Sequence, residues 1–131
     1  MEATEALTLL GGIATREALL RRASRAEVDR AIRAGAIVVV GRGRYAAPDV
    51  DHAAREAHRL GGILCRESAA LHHGWAVKAV PSEPHVSVPR NRKVARQRLE
   101  GVCLHRDDLH PDDVDGIATS KEYTLTQCLR T

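Results

Sequence analysis

Residues 11–48 read GGIATREALLRRASRAEVDRAIRAGAIVVVGRGRYAAP, and the reading of this stretch decides the fold. Thr15 is placed to cap a helix in which Ala18, Leu19 and Ala23 face inward. Arg21 and Arg22 point outward near its C-terminal end, where cations suit the helix dipole. Ser24-Arg25-Ala26-Glu27 then has the form of a capping box, in which the Ser hydroxyl and the Glu carboxylate each satisfy a free backbone N–H of the other. A further helix therefore starts at Arg25. Its inward face is Val28, Ala31 and Ile32, and an advance of about 100° per residue puts Ala26, Arg30 and Arg33 on the opposite side. Gly35 supplies a left-handed stop. Residues 36–40 read as a strand, Gly41-Arg42-Gly43 as a tight turn, Arg44-Tyr45-Ala46 as the returning strand, and Pro48 ends the unit. Two short helices followed at once by a Gly-tipped hairpin predict a winged helix-turn-helix over residues 1–48.

Charge within this stretch points to a polyanion. It holds eight arginines (Arg16, Arg21, Arg22, Arg25, Arg30, Arg33, Arg42 and Arg44) against three acids (Glu17, Glu27 and Asp29), a net +5 inside a chain of +3. The major groove of DNA, about 12 Å wide, admits one helix, whose first residues reach base edges. Arg25, Ala26, Arg30 and Arg33 are so placed, with Arg25 nearer the core edge. Arg30 and Arg33 suit either bidentate donation to guanine or neutralisation of phosphate. Arg42 and Arg44 on the hairpin suit an adjacent minor groove or its phosphates. An arginine-bearing face on a protein-binding winged helix is the competing use of the same fold.

Outside this stretch lie a first helix, a connecting helix and a second small module. Residues 2–10 have apolar residues at helical spacing and stop at Gly11-Gly12, whereas Asp49 to Asp51 cap a connecting helix over 49–62 that ends at Gly61-Gly62. Over 63–131, strands at 63–65, 85–88 and 101–105 alternate with a helix at 67–75 and a last helix capped at Ser120, with Tyr123, Leu125 and Leu129 as its apolar strip. The fold class expected is therefore α+β, a winged helix-turn-helix followed by a small α/β module. Of two charge runs here, the basic one (Arg90, Arg92, Lys93, Arg96, Arg98) offers Arg90, Arg92 and Lys93 as phosphate contacts. The acidic one (Asp107, Asp108, Asp112, Asp113, Asp115) reads mostly as solvated loop and as N-terminal charge of a short helix after Pro111.

Composition excludes several classes. The chain is 44% hydrophobic and 28% charged with no Phe, one Trp and two Tyr, so its core must be built from Ala, Leu, Val and Ile. No apolar run approaches the roughly 20 residues of a membrane span, and no basic segment leads an apolar one at the N-terminus, so a cytoplasmic protein without a membrane partner is expected. Cys65, Cys103 and Cys128 are widely spaced and read as thiols of a reducing compartment. His72, His73, His85, His105 and Cys103 would be the ligands of any metal, yet no HxxxH or CxxC pair fixes two of them on one face, and neither metal nor cofactor is expected. No Ser-His-Asp set, P-loop or Gly-rich dinucleotide motif is present, so the expectation is a non-enzyme.

The motifs also carry a resemblance. Gly11-Gly12-Ile13-Ala14-Thr15-Arg16, Gly41-Arg42-Gly43-Arg44-Tyr45-Ala46, Ser68-Ala69-Ala70-Leu71-His72-His73-Gly74, His85-Val86-Ser87-Val88-Pro89-Arg90, and His105-Arg106-Asp107-Asp108-Leu109 through Asp112-Asp113-Val114 occur in this order, followed by Thr119-Ser120 and Thr124-Leu125. Together they resemble actinobacterial proteins of the AbiEi-like type IV antitoxin family over nearly the whole chain. The resemblance implies a DNA-binding winged helix acting at the operon's own promoter as a transcriptional repressor. It also implies an antitoxin module that counters a nucleotidyltransferase-like toxin. The DNA role carries onto Arg16, Arg25, Arg30, Arg33, Arg42 and Arg44. Two departures stand out: many relatives continue into an endonuclease-like domain of which nothing appears in these residues, and Gln127 stands where the family tends to have an acid. The alternatives are the DNA-targeting portion of such an endonuclease, or a protein-interaction winged helix.

Overall fold

The computed structural model describes residues 1–130 as a mixed helix-and-strand protein made of two compact units, Met1–Arg59 and a second that begins at Leu60. In the first unit the elements follow the order α1 (Ala3–Leu9), β1 (Ile13–Thr15), α2 (Arg16–Leu20), α3 (Arg25–Arg33), β2 (Val38–Gly41), β3 (Arg44–Ala46) and α4 (His52–Leu60), the last residue of which opens the second unit. The three strands form an antiparallel sheet in the order β1-β3-β2.

Local signals set most of these boundaries. Thr15 accepts a hydrogen bond from the Ala18 N–H at 3.2 Å and so starts α2. The capping box at α3 is complete: the Glu27 N–H donates to Ser24 Oγ at 3.2 Å, and the Ser24 N–H donates to Glu27 Oε1 at 3.0 Å. The Glu27 carboxyl is held below its usual range, first by the bond from the Ser24 backbone and then by the Ser24 hydroxyl. Gly35 ends the helix at φ +77°, a conformation that suits a residue without Cβ. Asp51 caps α4 through a 3.2 Å bond from the Ala54 N–H.

Strand β1 has no counterpart in the local sequence pattern, since three residues after a Gly-Gly pair carry no periodicity. It forms because β3 offers an edge, pairing Ile13 with Ala46 and Thr15 with Arg44. A bulge between Val39 and Gly41 shifts the β2–β3 register just before the turn. The core draws one row from each element: Ala3, Ala6 and Leu7 of α1, Leu19 of α2, Val28 of α3, then Ile37 and Tyr45. Leu7, Leu19, Val28 and Ile37 are all at most 2% exposed, so small aliphatic side chains replace the missing aromatics. Buried His58 locks α4 onto this unit: its ring Nε2 lies 2.9 Å from the Ala14 carbonyl, which requires the neutral Nε2–H tautomer or the cation. Burial pushes its pKa below the usual histidine value.

The second unit is a five-stranded mixed sheet with two helices. Its strands are β4 (Ile63–Leu64), β5 (His85–Val88), β6 (Cys103–Arg106), β7 (Val114–Asp115) and β8 (Ala118–Thr119), in the order β6-β5-β4-β8-β7. β5 runs parallel to β6 and β4 parallel to β8, while the β4–β5 and β7–β8 pairs are antiparallel. Helices α5 (Arg66–His72) and α6 (Lys121–Leu129) pack against each other, and α5 also rests on β5. Gly62 precedes β4 where a Cβ would lie 2.5 Å from the Ser87 carbonyl oxygen, so only glycine fits.

Helix α6 turns a different face inward from the one its leucines suggest. Leu125 and Leu129 are 52% and 76% exposed, whereas Thr124 and Gln127 are buried. The reason is polar. Gln127 Oε1 accepts the Arg66 N–H at 3.0 Å, at the one non-glycine residue of positive φ among those described, and Thr124 Oγ1 bonds Thr119. Unpaired donors at the start of α5 outweigh the transfer of two leucines. Among the described residues no helix is long and apolar enough to cross a membrane.

Candidate nucleic-acid interface and a histidine–cysteine cluster

Of the residues expected to meet DNA, Arg25, Ala26, Arg30 and Arg33 are all exposed on α3, while Val28 on its other side is fully buried. The capping box fixes where α3 begins and hence which residues its first turn presents. Arg42 is exposed in the hairpin turn and Arg44 is half-buried on β3. Arg16 is placed differently. Its Nη1 donates to the Tyr45 hydroxyl at 2.9 Å, a bond that raises the guanidinium pKa, and its backbone N–H donates to the Gly43 carbonyl at 2.8 Å. Arg16 thus fastens the start of α2 to the hairpin.

The three basic residues suggested as phosphate contacts in the second unit separate in the same way. Arg92 Nη1 donates to the Gly61 carbonyl at 2.7 Å, and the Arg92 carbonyl accepts from Arg106 Nη1, so this side chain closes a loop. The side chains of Arg90 and Lys93 are exposed, although the Arg90 N–H is tied to Asp108 Oδ1 at 3.1 Å. The acidic run is also used locally. Asp113 and His110 cap the 3-10 turn Pro111–Asp113 reciprocally, and Asp107 accepts from the Ser87 hydroxyl at 3.1 Å.

The second unit also gathers three groups that chain spacing left apart. In the β5–β6 register His85 stands beside Cys103 and Ser87 beside His105. His85 Nδ1 lies 2.8 Å from His105 Nε2, Cys103 Sγ lies 3.7 Å from the same Nε2, and the two imidazoles stack with centroids 5.1 Å apart. Glu67 Oε2 of α5 is 4.0 Å from His85 Nε2, and the His85 N–H donates to Ser68 Oγ at 2.8 Å. Burial, then Arg66 and His85, push the His105 pKa down. A cavity of about 1000 Å³ opens beside the cluster, with Arg66, Glu67, Trp75, His85 and His105 in its walls.

Cys103 and His105 sit two apart on a strand, so strand periodicity alone places them on one face. Which strand lies alongside is a non-local fact, and it brings His85. His72 and His73 stay outside the group: His72 is exposed, and His73 Nε2 lies 2.7 Å from the Thr119 carbonyl. Cys65, buried at the end of β4, has its thiol pushed up to about 12 by burial and is inert.

Comparison with protein-family models finds no match, and no curated protein matches the chain. Among solved structures, the chain is similar to the RV2827C protein from Mycobacterium tuberculosis at 15% identity and a TM-score of 0.46, over 83% of this chain and 45% of that one. The chain thus spans less than half the length of that structure.

Proposed function

We propose that residues 1–48 form a winged helix-turn-helix that binds double-stranded DNA, with α3 as the recognition helix and the β2–β3 hairpin as the wing. The observation that carries this reading is the exposure of Ala26, Arg30 and Arg33 on one side of a helix whose start is fixed by a complete capping box, with Arg25 exposed at the edge of that side. The element order, two helices then a hairpin with Arg42 in its turn, supports it as well. In this reading Arg30 and Arg33 meet base edges or phosphates, Arg42 and Arg44 meet the flanking backbone, and Arg16 positions the wing through Tyr45.

The biological role follows the resemblance to AbiEi-like antitoxins. The protein acts in the cytoplasm as a non-enzymatic antitoxin and autorepressor. Its DNA site is its own promoter, and its second unit opposes a nucleotidyltransferase-like toxin. A mobility-shift titration against the upstream DNA tests the first part, and co-expression with a neighbouring nucleotidyltransferase reading frame tests the second. No shift at low salt removes the DNA reading. Undiminished toxicity on co-expression removes the antitoxin reading and leaves DNA binding standing.

A further inference from the structure

We infer that the second unit holds a transition-metal ion of the zinc class, ligated by His85 Nδ1, Cys103 Sγ and His105 Nε2. One ligand atom from each of the three residues lies within 4.8 Å of the other two. Bond lengths of about 2.0–2.1 Å to nitrogen and 2.3 Å to sulfur in a tetrahedral site require ligand separations of about 3.3 Å between nitrogens and 3.6 Å between nitrogen and sulfur. The S···N separation of 3.7 Å meets that requirement, and the N···N separation of 2.8 Å has only to open by about half an ångström, since an ion replaces the proton the two rings share. Two imidazoles and a thiolate select zinc, cobalt, nickel or copper over calcium and magnesium, which take oxygen ligands.

The scaffold supports this set. His85 and Cys103 are register partners on parallel strands, so backbone pairing holds two of the ligands side by side, and His105 follows on the same face of β6. Ligation through Nδ1 leaves the His85 proton on Nε2, the atom that faces Glu67 Oε2 at 4.0 Å, so that a shift of about 1 Å would let this carboxylate orient a metal-bound histidine. Binding releases the Cys103 thiol proton to solvent, and each histidine stays neutral with its proton on the nitrogen away from the ion. Arg66 opposes a cation here. The Cys103 thiolate together with Glu67 and Asp107 offsets it. Three protein ligands leave a fourth position, and Pro81, Ser82, Glu83 and Val102 line the hollow beside His85 and Cys103 from which a water or small anion would fill it.

The test is a titration of the full chain with Co(II), followed by displacement with Zn(II). The expected result is a thiolate-to-cobalt charge-transfer band that saturates at one ion per chain and disappears on Zn(II) addition. Cys103→Ser abolishes the band, His105→Gln abolishes tetrahedral binding, and Glu67→Gln weakens affinity about tenfold. Cys65→Ser and Cys128→Ser leave the band unchanged, and circular dichroism confirms that every variant is folded. A folded Cys103→Ser protein that keeps the band, or a wild-type chain that takes up no ion, overturns the assignment. Cys103 is exposed, so its exchange for serine leaves the core intact.

Discussion

Arg16 Nη1 donates to the hydroxyl of Tyr45 at 2.9 Å, and through this bond the first residue of α2 holds the returning strand of the hairpin. Tyr45 is otherwise a core residue, 5% exposed, so its ring packs inward while its hydroxyl reaches the arginine. Tyr45→Phe keeps the ring and removes only the acceptor. We expect a lower thermal unfolding midpoint and, under the proposed function, weaker DNA binding through a looser hairpin. Arg16→Ala should lower the midpoint as well, whereas Arg30→Ala should not. Calorimetry on the three variants separates an arginine that positions the hairpin from one whose side chain faces solvent.

Gly62 is the sharpest steric constraint in the second unit. A methyl group there would lie 2.5 Å from the Ser87 oxygen and 2.8 and 2.9 Å from side-chain carbons of Val86 and Val88. Gly62→Ala must therefore push β4 away from β5, at a cost of about 1–3 kcal/mol in urea unfolding. A neutral substitution would mean that β4 and β5 leave room for a side chain at position 62.

Gln127 bridges α6 to the start of α5. Gln127→Ala strands the Arg66 N–H and should destabilise the protein by about 1–3 kcal/mol. Leu129→Ala, at a 76% exposed position on the same helix, should stay within about 0.5 kcal/mol. The reverse order would show that the leucine strip, not the polar face, is buried.

His58 sets a pH dependence. Its folded pKa lies below the ordinary value of 6.5, so the unfolded chain takes up a proton more readily than the folded one. Stability is then full above about pH 6.5 and falls as pH drops through the unfolded value toward the folded one. His58→Gln retains a donor for the Ala14 carbonyl without titrating, and its unfolding midpoint should change less between pH 7 and pH 5 than that of the wild type. Equal slopes in the two proteins would remove His58 as the titrating group.

Local chemistry made part of this molecule legible in its sequence. Ser24 and Glu27 announce the start of α3, Gly35 its end, and Gly41-Arg42-Gly43 the hairpin, because each is decided within a few residues of chain. Three features were not legible, for one shared reason. Strand β1 exists only through its pairing with β3, Gln127 faces inward only because Arg66 lies 61 positions away needing an acceptor, and His85 meets His105 only through parallel strand pairing. No local spacing joins His85 to His105, and strand register brings them together.

In the proposed function the exposed arginines of α3 bind DNA. Its most direct test is a comparison of the wild type with Arg30→Ala/Arg33→Ala for affinity toward the promoter duplex at two salt concentrations. Wild-type binding should weaken steeply with salt, by about 0.9 log units per log of salt for each phosphate neutralised. The double variant should lose much of its affinity with no change in unfolding midpoint. Affinity that is indifferent to salt, or a folded double variant that binds as the wild type does, would contradict the proposed DNA binding.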